Sequence, residues 1–305
     1  MPEKLKQLAE TFTAIAGKWT ALAAIGSFLL YLFGYLALRF QLSTYGVATN
    51  LSALDERYLF AGSRFFVYLV SSLPSLLLIV IPLSVILYLP YRLMPIAVRT
   101  RIGNYLSRWR SPARLFIAGT LFTLLLIQFV FRQCFVYGNL LFLKQLPPHQ
   151  WINAILLTDD GYRALYFAGL VAATLLSVLF LFFAAPAVGE SGRSRLFQGI
   201  LMLLVGIEVL LLPINYGVLI ASQSLPRVSE ISAVPLAKGT KAWLLWEASD
   251  SLIYLEAKPE EDRVMISVPK KDAGTKIIGY DPIFQVLFGP EKGPVLASGE
   301  ESHHE

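Results

Sequence analysis

The 305-residue chain is 55% hydrophobic, 13% aromatic and only 15% charged, with a mean hydropathy of +0.59, which excludes an ordinary soluble composition and points to a polytopic membrane protein. Its net charge of +5 is unevenly divided: residues 223–305 carry nine Lys/Arg against thirteen Asp/Glu, so the excess base lies in the apolar part and is a topology signal, not a nucleic-acid footprint. One cysteine, Cys134, excludes an intrachain disulfide and any Cys-type metal site.

Residues 1–18 place Leu5, Leu8, Phe12 and Ile15 on one helical face, which predicts an amphipathic helix on the cytoplasmic surface. No cleavable signal peptide is expected, because the first apolar run is of full spanning length. That run, 19–38, is the first predicted span; Trp19 marks its inner interface, and Ala23, Gly26 and Gly34 are small enough to admit a neighbouring helix. The segment 39–63 holds Asp55, Glu56 and Arg57 side by side, read as surface ion pairs or a helix N-terminal turn in preference to a cation site.

The second predicted span, 65–90, contains Pro74, Pro82 and Pro90 at intervals of eight. Each proline removes a backbone donor, and Ser71, Ser72, Ser75 and Ser84 are available to satisfy the carbonyls so released. Between this span and the next lies Tyr91 to Arg114, with Arg92, Arg99, Arg101, Arg108, Arg110 and Arg114 and no Asp, Glu or Lys. Short arginine-rich segments stay on the cytoplasmic side, and the anionic inner leaflet holds them there. Val98, Ile102, Tyr105, Leu106 and Trp109 recur at helical spacing, predicting an in-plane helix whose six arginines bind anionic lipid.

The third span, 115–136, carries Gln128, Arg132 and Gln133 late, with Arg132 near the outer boundary where it can snorkel. The following loop, with Pro147, Pro148, His149, Asp159 and Asp160, is sparse in base and read as external; His149 with the two aspartates lacks the further ligands a metal site needs. The fourth span is 164–188, and the loop after it carries Arg193 and Arg195. The fifth, 197–222, places Glu208 near its middle and Asn215 towards its outer end. An ionisable side chain at that depth costs several kcal/mol unless paired, protonated or facing water. The expected intramembrane polar cluster is Glu208, Gln128, Arg132 and Asn215, serving an interhelical hydrogen bond or a subunit contact; the competing reading is a proton or ion pathway.

After Ser222 the pattern changes. Leu225 to Lys241 reads as a linker with one possible strand; KAWLLWEA, SLIYLEA and RVMISVP read as three strands, Thr275 to Tyr280 as a fourth, and Asp281 to Phe288 as a short helix or arm. The unit 223–288 is small for an independent core, and Trp243, Trp246 and Tyr254 are expected to dock a partner. Residues 289–305 are expected to be disordered.

The expected fold is therefore an all-α polytopic membrane protein of five transmembrane helices followed by a small C-terminal antiparallel β domain. Charge placement puts the N-terminus in the cytoplasm of a bacterial inner membrane and the β domain in the periplasm. No P-loop, dinucleotide-binding, zinc-protease or nucleophile-elbow motif occurs, and no cofactor or metal is implied. Two functions fit: a non-catalytic accessory subunit of an inner-membrane protein complex, bound to other membrane or periplasmic subunits and to lipid; or a transporter or channel with a polar path at the proline-broken second span and Glu208.

Overall fold

The computed structural model describes residues 2–47, 56–109, 112–138, 160–184, 192–221, 224–231, 240–257, 264–272 and 274–288. It divides into two compact units, the first built from residues 1–138 and 150–221 and the second from residues 139–149 and 222–305.

The first unit is helical: α1 (Pro2–Thr44), α2 (Arg57–Leu93), α3 (Ile96–Trp109), α4 (Pro112–Tyr137), α5 (Asp160–Ala184) and α6 (Gly192–Tyr216), the last continued by a π-helical turn, Gly217–Ala221. Five of them, α1, α2, α4, α5 and α6, contain stretches long and apolar enough to cross a membrane. α1, α2 and α4, and α6 with its π-helical turn, are longer than the apolar runs predict, whereas α5 starts four residues before the predicted 164 and ends at Ala184. α1 passes Lys18 without a break and extends to Thr44, about 64 Å at ~1.5 Å per residue, so residues 2–18 do not form the separate surface helix read from their periodicity. α2 begins at Arg57, eight residues before the predicted start, because Tyr58 is fully buried among the rings of α1. The arginine-rich segment does form a helix, α3, set off from α2 by extended backbone at Met94 before Pro95.

Packing is concentrated at the end of the bundle where α1 finishes and α2 starts. Phe33, Ala37, Leu42, Tyr58, Phe65, Val130, Tyr137, Phe167 and Leu219 are buried there, and Phe33, Phe65, Phe66, Tyr68, Phe167 and Tyr216 form a connected aromatic cluster across α1, α2, α5 and α6. Such edge-to-face pairs add to simple area burial. The other end is open. Between Leu73 and Leu93 no residue whose side chain is described is buried, and Trp19, Leu22, Ile25 and Phe28 of α1 are all more than half exposed.

The second unit is a five-stranded antiparallel sheet, β1 (Ser224–Ile231), β2 (Lys241–Glu247), β3 (Ser251–Ala257), β4 (Val264–Pro269) and β5 (Thr275–Pro282), in the order β4-β3-β2-β1-β5, with a short helix α7 (Ile283–Phe288) after β5. Alternation produces the core: Val228, Ile231, Ala242, Leu252, Tyr254 and Val268 pack together. The β2–β3 connection is tight, closed by the Ala248 N–H donating to the Ser251 carbonyl at 2.8 Å. The one possible strand of the predicted linker is the interior strand β1, and residues 232–239 lie outside the described residues. Pro226 argues against an interior strand, but β1 meets β2 only at Arg227 and Val228, so at Pro226 itself the strand is paired on one side alone, with Tyr280 of β5. The loop 258–263, the segment expected to be external that holds His149 and Asp159, and the tail 289–305 lie outside the described residues.

Candidate functional site

Midway along α6, Glu208 is 2% exposed, and neither carboxylate oxygen has a hydrogen-bond partner of full geometry. The nearest polar groups come from α5: the hydroxyls of Ser177 and Thr174, which face the carboxylate and are themselves buried. Their spacing of three puts both hydroxyls on one face of α5. Ser177 Oγ is also without a partner, as is Thr123 Oγ1 of α4, which is fully buried. Gly119 fixes the register of α4 against α5, since a Cβ there would come within 2.8 Å of Phe180 Cβ; in antiparallel helices one turn further, Thr123 lies level with Ser177.

A second polar layer lies nearer the Tyr137 end. Asn215 is fully buried, and its Nδ2 donates to Tyr166 Oη at 3.3 Å and approaches Cys134 Sγ at 3.8 Å. Gln133 is 3% exposed in the same region of α4. The chain end of α1 is tied here as well: Gln41 Nε2 donates to the Ala221 carbonyl of the π-helical turn at 2.9 Å.

The four residues expected to cluster are thus separated. Glu208 and Asn215 are buried, seven residues apart on α6 and in separate polar layers, whereas Gln128 and Arg132 are exposed on the outer face of α4. The glutamine that turns inward is Gln133. Gln128 lies between Ile127 and Phe129 and Gln133 between Arg132 and Cys134, but it is the side of α4 that meets α5 and α6 that decides which of them is buried.

Aromatic side chains bracket the Glu208 layer. Tyr216, about 12 Å beyond Glu208 along α6, belongs to the cluster with Phe65, Tyr68 and Phe167; towards the other end, Phe180 packs on Gly119 and Phe122. The prolines of α2 do not reach this layer: Pro74, Pro82 and Pro90 are exposed. Nor do the adjacent serines serve the carbonyls that the prolines release. Pro74 frees the Val70 carbonyl, but Ser71 donates to Tyr68 and Ser72 to Leu69.

Of the arginines expected to bind lipid, Arg92, Arg101 and Arg114 are exposed, while Arg99 is half-buried and donates to the Arg92 carbonyl. Arg108 lies on α3, and Arg110 lies outside the described residues. In the sheet, the docking role expected of Trp243 and Tyr254 needs correction. Trp243 is 4% exposed and its indole N–H donates to Asp281 at 2.8 Å; Tyr254 is wholly buried in the sheet core. Strand pairing puts the two rings on opposite faces of the sheet, Trp243 opposite Leu255 and Tyr254 opposite Leu244, and both are buried; only Trp246 of the three is partly accessible. Among the described residues no group of three His, Cys, Asp or Glu side chains converges as metal ligands would.

Comparison with protein-family models, with curated proteins and with solved structures returns no match for this chain.

Proposed function

We propose that the chain is a multi-pass accessory subunit of a bacterial inner-membrane complex, without catalytic chemistry of its own, with its N-terminus and arginine segment cytoplasmic and its sheet on the opposite side. The observation that carries this reading is the bare half of α2. The Arg57–Pro90 stretch has 6% of its most apolar window buried, against 56% for the Gln198–Ala221 stretch of α6. Three prolines release the Val70, Leu78 and Ile86 carbonyls along that helix, and in hydrocarbon a released carbonyl calls for a donor from a neighbouring helix. A helix from another subunit, laid along Leu73–Leu93 and the exposed start of α1, supplies both packing and donors. On the sheet, the docking surface passes from Trp243 and Tyr254 to the exposed Ile278 and Tyr280 of the edge strand β5.

The transport alternative has weaker support, because Glu208 is enclosed between aromatic layers and the prolines face away from it. One experiment tests both. The protein is purified in mild detergent as wild type and as Leu78→Trp and Val85→Trp, with Leu125→Trp on the exposed face of α4 as control, and reconstituted in liposomes. A subunit that co-purifies with wild type and control but is lost from the α2 variants supports the reading. Its absence throughout, or ion flux that Glu208→Gln abolishes, rejects it. A compartment reporter fused after Lys292 tests orientation: a cytoplasmic signal overturns the placement of the sheet.

A further inference from the structure

Between α4 and α5, on the half of the bundle nearer Tyr137, lies a groove of about 350 Å³ lined by Leu126 and Phe129 of α4 and by Tyr162, Leu165, Gly169 and Ala173 of α5, among others. Its floor exists because two of the α5 positions are small. A Cβ built on Gly169 meets nothing within 4 Å, so this glycine does not serve close helix packing, unlike Gly119 further down the same helix pair. From Tyr162 to Ala173 the groove runs about 16 Å along α5, the reach of a good part of an acyl chain. Tyr162 is 55% exposed at its outer end.

The second observation is a cation beside this apolar slot. Arg132 is exposed on α4, three residues beyond Phe129, hence one helical turn closer to the Tyr137 end and next to it on the helix surface. No acidic residue lies in α4 between Pro112 and Tyr137, and the carboxylate that the sequence suggested for Arg132, Glu208, is buried on the inner side of the bundle. An arginine at this depth extends its guanidinium towards the headgroup level, and its fork of N–H donors matches phosphate oxygens.

We propose that this groove is a binding site for one bilayer phospholipid, with the phosphodiester held by Arg132 and one acyl chain laid past Phe129 and over Gly169. The site sets a phosphate beside Arg132 and fills the gap left by Gly169 and Ala173. It rests on the membrane placement proposed above and is independent of the accessory-subunit role.

Phospholipid per chain is measured on the full-length protein by native mass spectrometry after detergent exchange, and membrane retention is measured separately by carbonate wash. Wild type is expected to keep about one phospholipid per chain. Gly169→Phe, which fills the slot, and Arg132→Gln, which removes the charge, are each expected to weaken retention about tenfold, with Arg132→Lys intermediate. Leu203→Phe, on an exposed position of α6 outside the groove lining, is expected to change nothing. Should Gly169→Phe fail to fold, Arg132→Gln decides, because that side chain packs in no core. Wild type holding no lipid, or Arg132→Gln holding as much as wild type, overturns the proposal. So does loss of a protein subunit from Gly169→Phe at unchanged lipid content, which makes the groove a helix-docking site. Release of wild type by carbonate would instead overturn the membrane placement itself.

Discussion

Gly34 of α1 and Gly62 of α2 face each other at the crossing of the two helices. A Cβ on Gly34 would overlap the Tyr58 carbonyl oxygen and come within 2.6 Å of the Gly62 amide nitrogen, and one on Gly62 would overlap the Leu30 carbonyl oxygen. The obstacles are backbone atoms, so neither side can yield by turning a rotamer. Tyr31, Tyr35 and Tyr58 close around the same crossing with ring centroids 5.2 and 5.3 Å apart. Gly34→Val is expected to cost about 1–3 kcal/mol through overpacking, read as a lower midpoint in detergent denaturation. Gly26→Val, at a position with open space around it, is expected to lie within about 0.5 kcal/mol of wild type. Equal effects of the two would show that the crossing is not the stabilising contact.

The proximity of the Ser177 hydroxyl to the Glu208 carboxylate predicts a measurable coupling. In a cycle of Glu208→Gln, Ser177→Ala and the double variant, the interaction energy is expected at about 0.5–2 kcal/mol, the range of interhelical hydrogen bonds in membranes. Arg132→Gln combined with Glu208→Gln is expected to be additive, since the two residues occupy opposite sides of α4's packing. Coupling between Arg132 and Glu208 as large as that with Ser177 would restore the cluster read from the sequence.

Cys134 tests the polar layer nearer Tyr137. It is 7% exposed and lies against Asn215, so a water-soluble maleimide is expected to leave it unmodified in intact membranes from either side and to label it after denaturation. Asn215→Leu, which leaves the Tyr166 hydroxyl without its donor, is expected to cost about 1–3 kcal/mol and to open Cys134 to the reagent. Rapid labelling of the wild type would contradict the burial of this layer.

Tyr45, just past the end of α1, provides a pH handle. It is 3% exposed, and burial pushes its phenol from 10.0 up to about 12, against a smaller opposing effect of the Gln41 amide donating at 3.4 Å. A folded-state value above the unfolded one means that the contribution is intact below pH 10 and is lost as pH rises from about 10 towards 12. Tyr45→Phe removes this ionisation, and its denaturation midpoint is expected to fall less steeply over that window than that of wild type. Parallel curves would place the alkaline sensitivity elsewhere.

Length and hydrophobicity alone determined that five helices of the chain are apolar enough to span a bilayer, that the arginine segment between two of them is helical, and that an antiparallel sheet follows. These are properties of composition and short-range period, which a window of residues carries by itself. Which face of each helix turns inward was decided only by tertiary structure. Gly34 and Gly26 read alike in sequence, yet one sits against the backbone of α2 and the other meets nothing. Gln128 and Gln133 differ in role because α4 is rotated to present Gln133, Cys134 and Tyr137 to its neighbours. Trp243 and Tyr254 look like docking aromatics until the fold buries them, one on each face of the sheet. In each case the partner lies far along the chain, and the rotation of one element against another is a sum over many contacts that no local stretch contains.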